Sequence, residues 1–416
     1  MKRRRSRDHF PIETRWDNIQ HADTRVWNMF CYMYWHMRCG IFVEFVDGKL
    51  TTFMPFANPN YENNWPCVRF EASFGPCDVR TFRREAARAF NLRREENLLP
   101  VKKWWANGGL ICNVMPDNIW GQGLLPEIYD MLQRIPSDIG TRCFFINKRD
   151  RPYLRRDGKE PYPCLWGHEN VPSIFEPTNK WMQYARVDIS LPMEEIFAPL
   201  YSFYTDERYM DRHMPLAHDF DTIKCNNDIP WEKRIKKALF RGGATGQGVS
   251  SHDNQRIRLC ATGEPHVDAR LTSFNMRHKC GNDGIIRYIR PRGMHWASRE
   301  IRNGMPLLRS NWMSPQRQQE YRWHVYMSGH SGADRLTRQL VSGSLLFLVE
   351  SDLPQPWIYS HFDKKHNCLL VKPDLSNLSK CIQYALNNDA SCKRKALRAR
   401  DQTLYVLERF LNTWWH

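Results

Sequence analysis

The sequence predicts an α/β fold divided into two domains. Three observations carry that prediction. From Phe240 onward, short apolar strands alternate with stretches of helical periodicity, the pattern of a parallel sheet covered by helices. Two of those strands run into turns of glycine and other small residues, around Gly242 to Gly248 and around Ser328 to Ala333, and a helix with an arginine near its start follows each. The chain has 416 residues, 13% of them aromatic, which is enough to build two cores.

The elements follow in order. Residues 1–15 read as a basic, disordered leader, residues 16–225 as a first domain, 226–395 as a second, and 396–416 as a C-terminal helix that returns to the first domain. Val26 to Trp35 is aromatic-rich and helical, and Gly40 stops it. Ile41 to Val46 and Lys49 to Phe53 flank Asp47-Gly48, a strong hairpin signal. Residues 57–80 are rich in Pro, Asn and Gly and read as irregular, and Asp78 to Asn91 as a basic helix. Leu124 to Ile135 has helical spacing, Cys143 to Ile146 is a short buried strand, and the proline-rich residues 151–180 form a long loop. Trp231 to Ala238 reads as a short helix leading into a strand at Leu239-Phe240. After it, helices are expected at Asn254 to Cys260, Asp334 to Ser342, Leu378 to Leu386 and Ala396 to Trp415. Strands are expected at His266 to Leu271, Tyr321 to Met327 and Ser344 to Val349.

Composition narrows the function. The formal charge is +16, from 61 basic and 45 acidic residues, and it favours an anionic partner such as nucleic acid, a membrane surface or a phosphorylated substrate. Thirteen cysteines, an odd number without any C-x-x-C, read as reduced thiols rather than a disulfide framework or zinc site. No apolar stretch follows the basic Met1 to Arg7, and no segment is long and apolar enough to span a bilayer. A cytoplasmic protein is therefore expected. There is no H-E-x-x-H, and no D-x-D of the kind that chelates a metal with a sugar nucleotide stands out, so no metal site and no cofactor are expected.

Three segments can carry chemistry. In Phe240-Arg-Gly-Gly-Ala-Thr-Gly-Gln-Gly248 the glycines let backbone N–H groups approach a phosphate, and Arg256 downstream can hold phosphate oxygens. By itself such a loop is more often a plain turn. Ser328-Gly-His-Ser-Gly-Ala-Asp-Arg335 repeats the arrangement. Arg335 serves equally as a second phosphate ligand or as a helix-surface ion pair, and two such turns can grip one diphosphate. In Asn147-Lys-Arg-Asp-Arg-Pro152 a carboxylate stands just past a buried strand, where a general base needs a rigid support, although on the residues alone an Asp150 that pairs with Arg149 or Arg151 or caps a turn is the favoured reading.

Taken in order, these segments resemble glycosyltransferase family 90, which includes the fungal capsule-associated xylosyltransferase and the animal protein O-glucosyltransferases. The resemblance rests on Asn147-Lys-Arg-Asp150 with Pro152, Phe240-Arg-Gly242 with Thr245-Gly246, Asn254-Gln-Arg256, Val267-Asp-Ala269 with Thr272 and Asn275, Gln319-Glu-Tyr321-Arg322, Gly329 to Arg335, Gly343-Ser344, Trp357 and Asp374-Leu-Ser376. Phe53-Met-Pro-Phe56 and Trp104-Trp-Ala-Asn107 look like the versions found in large DNA viruses, which adds a host cytoplasm or a virion as locations.

The resemblance implies a GT-B fold, two Rossmann-like domains facing a cleft. It also implies an inverting, metal-independent transfer of glucose or xylose from a UDP-sugar to a protein or glycan hydroxyl. It makes Asp150 the catalytic base. It puts Gly242, Gly243, Thr245, Arg256, Asp268, Thr272, Ser331, Gly332, Ala333 and Arg335 on the nucleotide-sugar, with Arg256 and Arg335 on the diphosphate and Thr272 near the uracil. Two positions depart from the pattern: Gly243 stands where the animal enzymes have serine, and Ser328 where fungal and plant members have aspartate. Two readings compete. One is a basic nucleic-acid-binding protein stacking bases on residues such as Trp104 and Trp105, which no zinc-finger, helix-turn-helix or RNP motif supports. The other is an inactive sugar-nucleotide scaffold, against which the intact Asp150, Arg256 and Arg335 speak.

Overall fold

The computed structural model describes residues 23–57, 77–78, 102–106, 109–114, 124–161, 171–222, 229–246, 248, 251–273, 278–280, 285–288 and 312–416. The leader, residues 79–91 of the expected basic helix, most of the irregular stretch before it, and Asn275 lie outside them; Asp78, where that helix is expected to start, is strand.

Two five-stranded sheets organise the chain. In the first, β1 (Cys39–Val46) and β2 (Lys49–Ala57) form the hairpin, β1 pairs antiparallel with β3 (Arg142–Asn147), and β3 runs parallel to β4 (Leu200–Ser202). Between β4 and the last strand of the sheet comes β5 (Tyr204–Thr205), which leaves it. The sheet closes with β6 (Arg212–His213), giving the order β2-β1-β3-β4-β6. Both faces are covered. Phe42, Phe56 and Phe145 enter the cluster under helix α1 (Thr24–Cys31), while Ile41, Val43, Phe45, Phe144 and Ile146 enter the cluster that α2 (Leu124–Gln133) covers. That is why Cys143 to Ile146 is apolar throughout instead of alternating. The antiparallel hairpin edge makes this sheet mixed, whereas the second is wholly parallel.

The second sheet is built from β7 (Ile235–Gly243), β8 (Val267–Ser273), β9 (Tyr321–Tyr326), β10 (Leu345–Val349) and, after the short β11 (Gln355–Pro356), β12 (Cys368–Val371). Its order is β8-β7-β9-β10-β12. Phe240, Trp323, Val325, Leu345, Phe347 and Val349 fill one face, and Tyr326, Leu346 and Leu348 the other. The helix expected over Trp231 to Ala238 is confined to a 3-10 turn at Trp231–Lys233, and the strand already begins at Ile235. Ile235-Lys-Lys-Ala-Leu239 has fair helix propensity, but pairing with β9 and β8 on either side satisfies its backbone, and tertiary context overrides propensity.

Residues of both halves line one cavity, in keeping with the expected GT-B arrangement. Helices α3 (Ala217–Thr222), α4 (Gln255–Ala261), α5 (Leu336–Val341), α6 (Leu378–Asn387) and α7 (Asp389–Leu411) surround the sheets. Strand β5 of the first half pairs antiparallel with β11 of the second. Buried Trp357, just after β11, donates its indole N–H to Asp219 of α3 at 2.8 Å and stacks on Phe410 with ring centroids 3.9 Å apart. Helix α7 begins at Asp389, well before the expected Ala396. Cys392 and Ala396 belong to the second sheet's core, and Trp414 and Trp415 beyond its end belong to the first's. Arg142 and Tyr201 both donate to the Trp415 carbonyl, at 2.9 and 3.0 Å. Among the described residues no helix is long and apolar enough to cross a membrane, and Cys31, Cys39, Cys143, Cys260, Cys368, Cys381 and Cys392 are free.

One core residue gives the fold an acid limit. His324 of β9 is 2% exposed and its Nε2 meets the Gln318 carbonyl at 2.7 Å. Burial, with the charges of Arg234 and Arg335 adding, pushes its pKa down to about 4. The folded chain therefore holds it neutral, while the unfolded chain protonates it near pH 6.5. Its contribution is complete above that pH and is lost as pH falls toward 4, on the order of 3 kcal/mol in all. Denaturant titrations from about pH 7 to about pH 4 should show this acid loss in the wild-type chain. The loss should be absent from His324→Asn; equal pH slopes for the two would refute the assignment.

Candidate active site

The parallel sheet reverses its strand order between β7 and β9, since β8 lies on one side of β7 and β9 on the other. Open α/β sheets bind ligands at the carboxyl ends of the strands at such a switch point. Here those ends are the two turns read from the sequence. A cavity of about 260 Å³ opens between them, lined by Gly242, Gly243, Thr245, Arg256 and Gly329 to Arg335 of the second half, with Asp150 and Tyr204 of the first.

The turn after β7 is tied by Asn254. Its side-chain oxygen caps α4, accepting from the N–H groups of Arg256 and Ile257 at 3.0 and 3.1 Å. Its amide donates back to the carbonyls of Thr245 and Gly248 at 3.3 and 3.2 Å. The cap thus fixes the glycine turn and the first turn of α4 together, and α4 carries Arg256. Arg256 is 6% exposed and donates to the carbonyls of Ser328, Gly243 and Met327, each at 3.0 Å, so it binds the two turns to each other. Gly329 is required at this junction: a Cβ there would stand 2.4 Å from Thr245 Oγ1 and 3.0 Å from Arg256 Nη2.

Arg335 completes the wall. Its Nη1 donates to the Arg241 carbonyl and its guanidinium lies 5.0 Å from the centre of the Phe240 ring. Its Nε and Nη2 are closed off from solvent without any acceptor in the protein. No ion pair joins it to Asp334. Burial lowers the pKa of both arginines, that of Arg256 to about 9 with the Arg335 charge as the next cause. Two cations, Arg256 buried and Arg335 half-buried, thus stand in the wall of one cavity, and Arg335 has N–H groups to spare. That arrangement is costly alone and favours a multiply charged anion.

Asp150 faces them from the first half. It follows β3, whose last residue, Asn147, accepts the Arg149 N–H at 2.8 Å and donates to the Arg151 carbonyl and to Ser202 Oγ, the latter at 3.0 Å. Buried Asp211 accepts from the N–H groups of Tyr153 and Leu154, both at 2.8 Å, and from Ser202 Oγ at 2.6 Å. Burial raises its pKa to about 6. The Asp150 turn is therefore held by scaffold on both sides. Tyr204, brought in by β5, is nearly buried. Burial raises its phenol well above the ordinary value, and the charges of Asp334 and Asp150 add to this.

Two expected contacts are absent from the cavity wall. The Asp268 carboxylate accepts two bonds from Arg241 Nη2 at 2.8 Å and one from the Tyr321 hydroxyl at 2.6 Å, so it is an ion-pair anchor between β7, β8 and β9. Thr272 lies on edge strand β8 and does not line the cavity. The N–H groups of Gly332 and Ala333 are also used within the protein, by the Pro354 carbonyl at 2.6 Å and the Tyr326 hydroxyl at 2.9 Å, so they shape the wall rather than donate into it. Ser328, at the position that departs from the family pattern, accepts from Gln355 Nε2 at 2.9 Å. The sequence did not reveal Tyr204, His330 or Asp334 as wall residues. Nothing in a two-residue strand announces that Tyr204 reaches another domain.

The family model described as Glycosyl transferase family 90 matches residues 125–408, which include Asp150, Arg256 and Arg335. The chain belongs to glycosyltransferase family 90. Among its relatives are uncharacterized proteins of two iridoviruses. The one from Frog virus 3 is 28% identical over 94% of this chain and 41% of its own length, and the one from Invertebrate iridescent virus 3 is 27% identical over 92% and 35%. The chain thus spans about two-fifths or less of these relatives. Similar solved structures include HepE of Anabaena in complex with UDP-glucose (10% identity, 51% of this chain and 71% of that one, TM-score 0.31) and TarM (13%, 53% and 51%, 0.29). For this family 90 chain the fold rests on its own sheet topology.

Proposed function

We propose that the chain moves glucose or xylose from a UDP-sugar to a hydroxyl of a protein or glycan, inverting the anomeric carbon and using no metal ion. The observation that carries this reading is the pair Arg256 and Arg335 at the sheet's switch point, with Asp150 across the same cavity. The arginines suit a diphosphate, whose charge grows as it departs. Fixed cations in a partly enclosed site stabilise that charge without a metal. Asp150 takes the proton of the acceptor hydroxyl. The hydroxyl oxygen bonds to the anomeric carbon as the bond to the diphosphate breaks, and UDP leaves toward the arginines. Base and leaving group on opposite walls favour attack from the face opposite the diphosphate, hence inversion. Asp334, in the wall with no ion pair to Arg335, suits hydrogen bonds from sugar hydroxyls. Free thiols among the described cysteines agree with work in a reducing compartment such as the cytoplasm.

A panel of UDP-, ADP- and GDP-sugars tests the reading by thermal shift and by nucleotide release with water as acceptor. UDP-glucose or UDP-xylose should give the largest shift and release UDP, and the sugar first released from the α-linked donor should be the β anomer by proton NMR. Stabilisation by single-stranded nucleic acid but by no sugar nucleotide would overturn it.

A further inference from the structure

The turn that presents Asp150 is gripped on both sides by one sulfur atom. Cys39 opens β1 and is fully buried. On one side of Asp150, Arg149 donates from Nε to Cys39 Sγ at 3.4 Å and from Nη2 to the Met37 carbonyl at 3.3 Å. On the other side, the Tyr153 hydroxyl meets the same sulfur at 3.3 Å, while the Tyr153 carbonyl accepts from the Tyr32 hydroxyl at 2.9 Å. The strand register explains the meeting. Ile41 pairs with Ile146 and Phe42 with Phe145, so the antiparallel ladder brings the start of β1 level with the residues just beyond β3.

The chemistry around the sulfur differs from that of an ordinary core cysteine, which behaves as a small apolar side chain. Burial works against a charged sulfur. The adjacent Arg149 and Lys148, with the hydrogen bonds from Tyr153 and Arg149, outweigh it and hold the thiol below its usual range. Burial in turn pushes Lys148 down to about 8. The sulfur therefore lies within hydrogen-bond reach of two groups that flank the carboxylate, the Arg149 guanidinium as donor and the Tyr153 hydroxyl.

We infer that Cys39 is a positioning residue for Asp150: its sulfur fixes the Arg149-to-Tyr153 turn and so sets where the carboxylate stands in the cavity. The inference rests on the reading of Asp150 as the base. Misplacing a reacting group by about 1 Å costs on the order of a hundredfold in rate, and binding of UDP to the opposite wall does not involve the turn.

The test uses the 416-residue chain with Cys39→Ala, Cys39→Ser, Asp150→Asn and the Cys39→Ala/Asp150→Asn double variant. Two quantities are read: UDP affinity by calorimetry, and kcat for UDP release from UDP-glucose or UDP-xylose, whichever the wild-type chain hydrolyses faster. Cys39→Ala should lower kcat roughly tenfold or more with UDP affinity essentially unchanged. Cys39→Ser, which still accepts from Arg149 and Tyr153, should recover most of it. Combined with Asp150→Asn, the alanine change should cost nothing further, because it acts through that carboxylate. Should Cys39→Ala not fold, Cys39→Val, which fills the space but accepts no hydrogen bond, replaces it. Full kcat with only a lowered melting temperature would make Cys39 a plain core residue and overturn the inference. So would an undiminished effect on top of Asp150→Asn. Wild-type kcat in Asp150→Asn alone would instead remove the base reading itself, and the inference with it.

Discussion

Asp150→Asn is expected to bind UDP about as well as the wild-type chain and to release it from a sugar donor about a hundredfold more slowly, or worse. The substitution keeps the shape of the side chain and removes its basic lone pair. Asp150 stands on the first half, in a turn fixed by Asn147 and Asp211, while the two arginines proposed to hold the diphosphate stand on the second. Donor affinity and proton removal are thus carried by different walls and separate in one variant. Calorimetry with UDP and a rate of UDP release, measured on the same preparation, decide the matter. An unchanged rate would take Asp150 out of the mechanism. A lost UDP affinity would turn it into a donor-holding residue.

Arg335→Ala should show the opposite pattern. Nε and Nη2 of Arg335 have no acceptor in the protein, so their bonds are available to a ligand, and a hydrogen bond to a charged group is worth about 1.5–3 kcal/mol. UDP affinity should fall roughly 10- to 150-fold, and the thermal shift that UDP produces should shrink with it. Arg335→Lys should recover little. An ammonium is a point charge without the planar fork, and it cannot both hold the Arg241 carbonyl and reach a phosphate. Undiminished UDP affinity in Arg335→Ala would place the diphosphate elsewhere. Arg256 makes a less clean test, because its three bonds to the carbonyls of Ser328, Gly243 and Met327 hold the two turns together, and its loss would disturb the cavity wall itself.

Much of this architecture is legible in the chain because it depends on neighbours in sequence. The Asp47-Gly48 hairpin, the apolar strands Cys143 to Ile146 and Leu345 to Val349, and the glycine turn at Gly242 are local in origin. Periodicity and turn chemistry act over a few residues, and the structure needs little else to form them. Where long-range pairing competes with local preference, the reading fails. Ile235 to Ala238 looked helical and is strand because β8 and β9 flank it.

The sequence by itself thus determined the α/β class, the two small-residue turns, and the residue types at Asp150, Arg256 and Arg335. Only the tertiary structure decided which groups share a cavity. It placed Tyr204 in the wall through the pairing of β5 with β11 and drew Asp268 into an ion pair with Arg241 and away from the cavity. It used the N–H groups of Gly332 and Ala333 internally, and it brought Cys39 against both sides of the Asp150 turn. The physical reason is the same in each case. A side chain's type is written in the chain, but its free donors and acceptors depend on partners that lie from seven residues away, as Tyr326 from Ala333, to more than a hundred, as Arg149 from Cys39, and those partners are known only when the two sheets have packed.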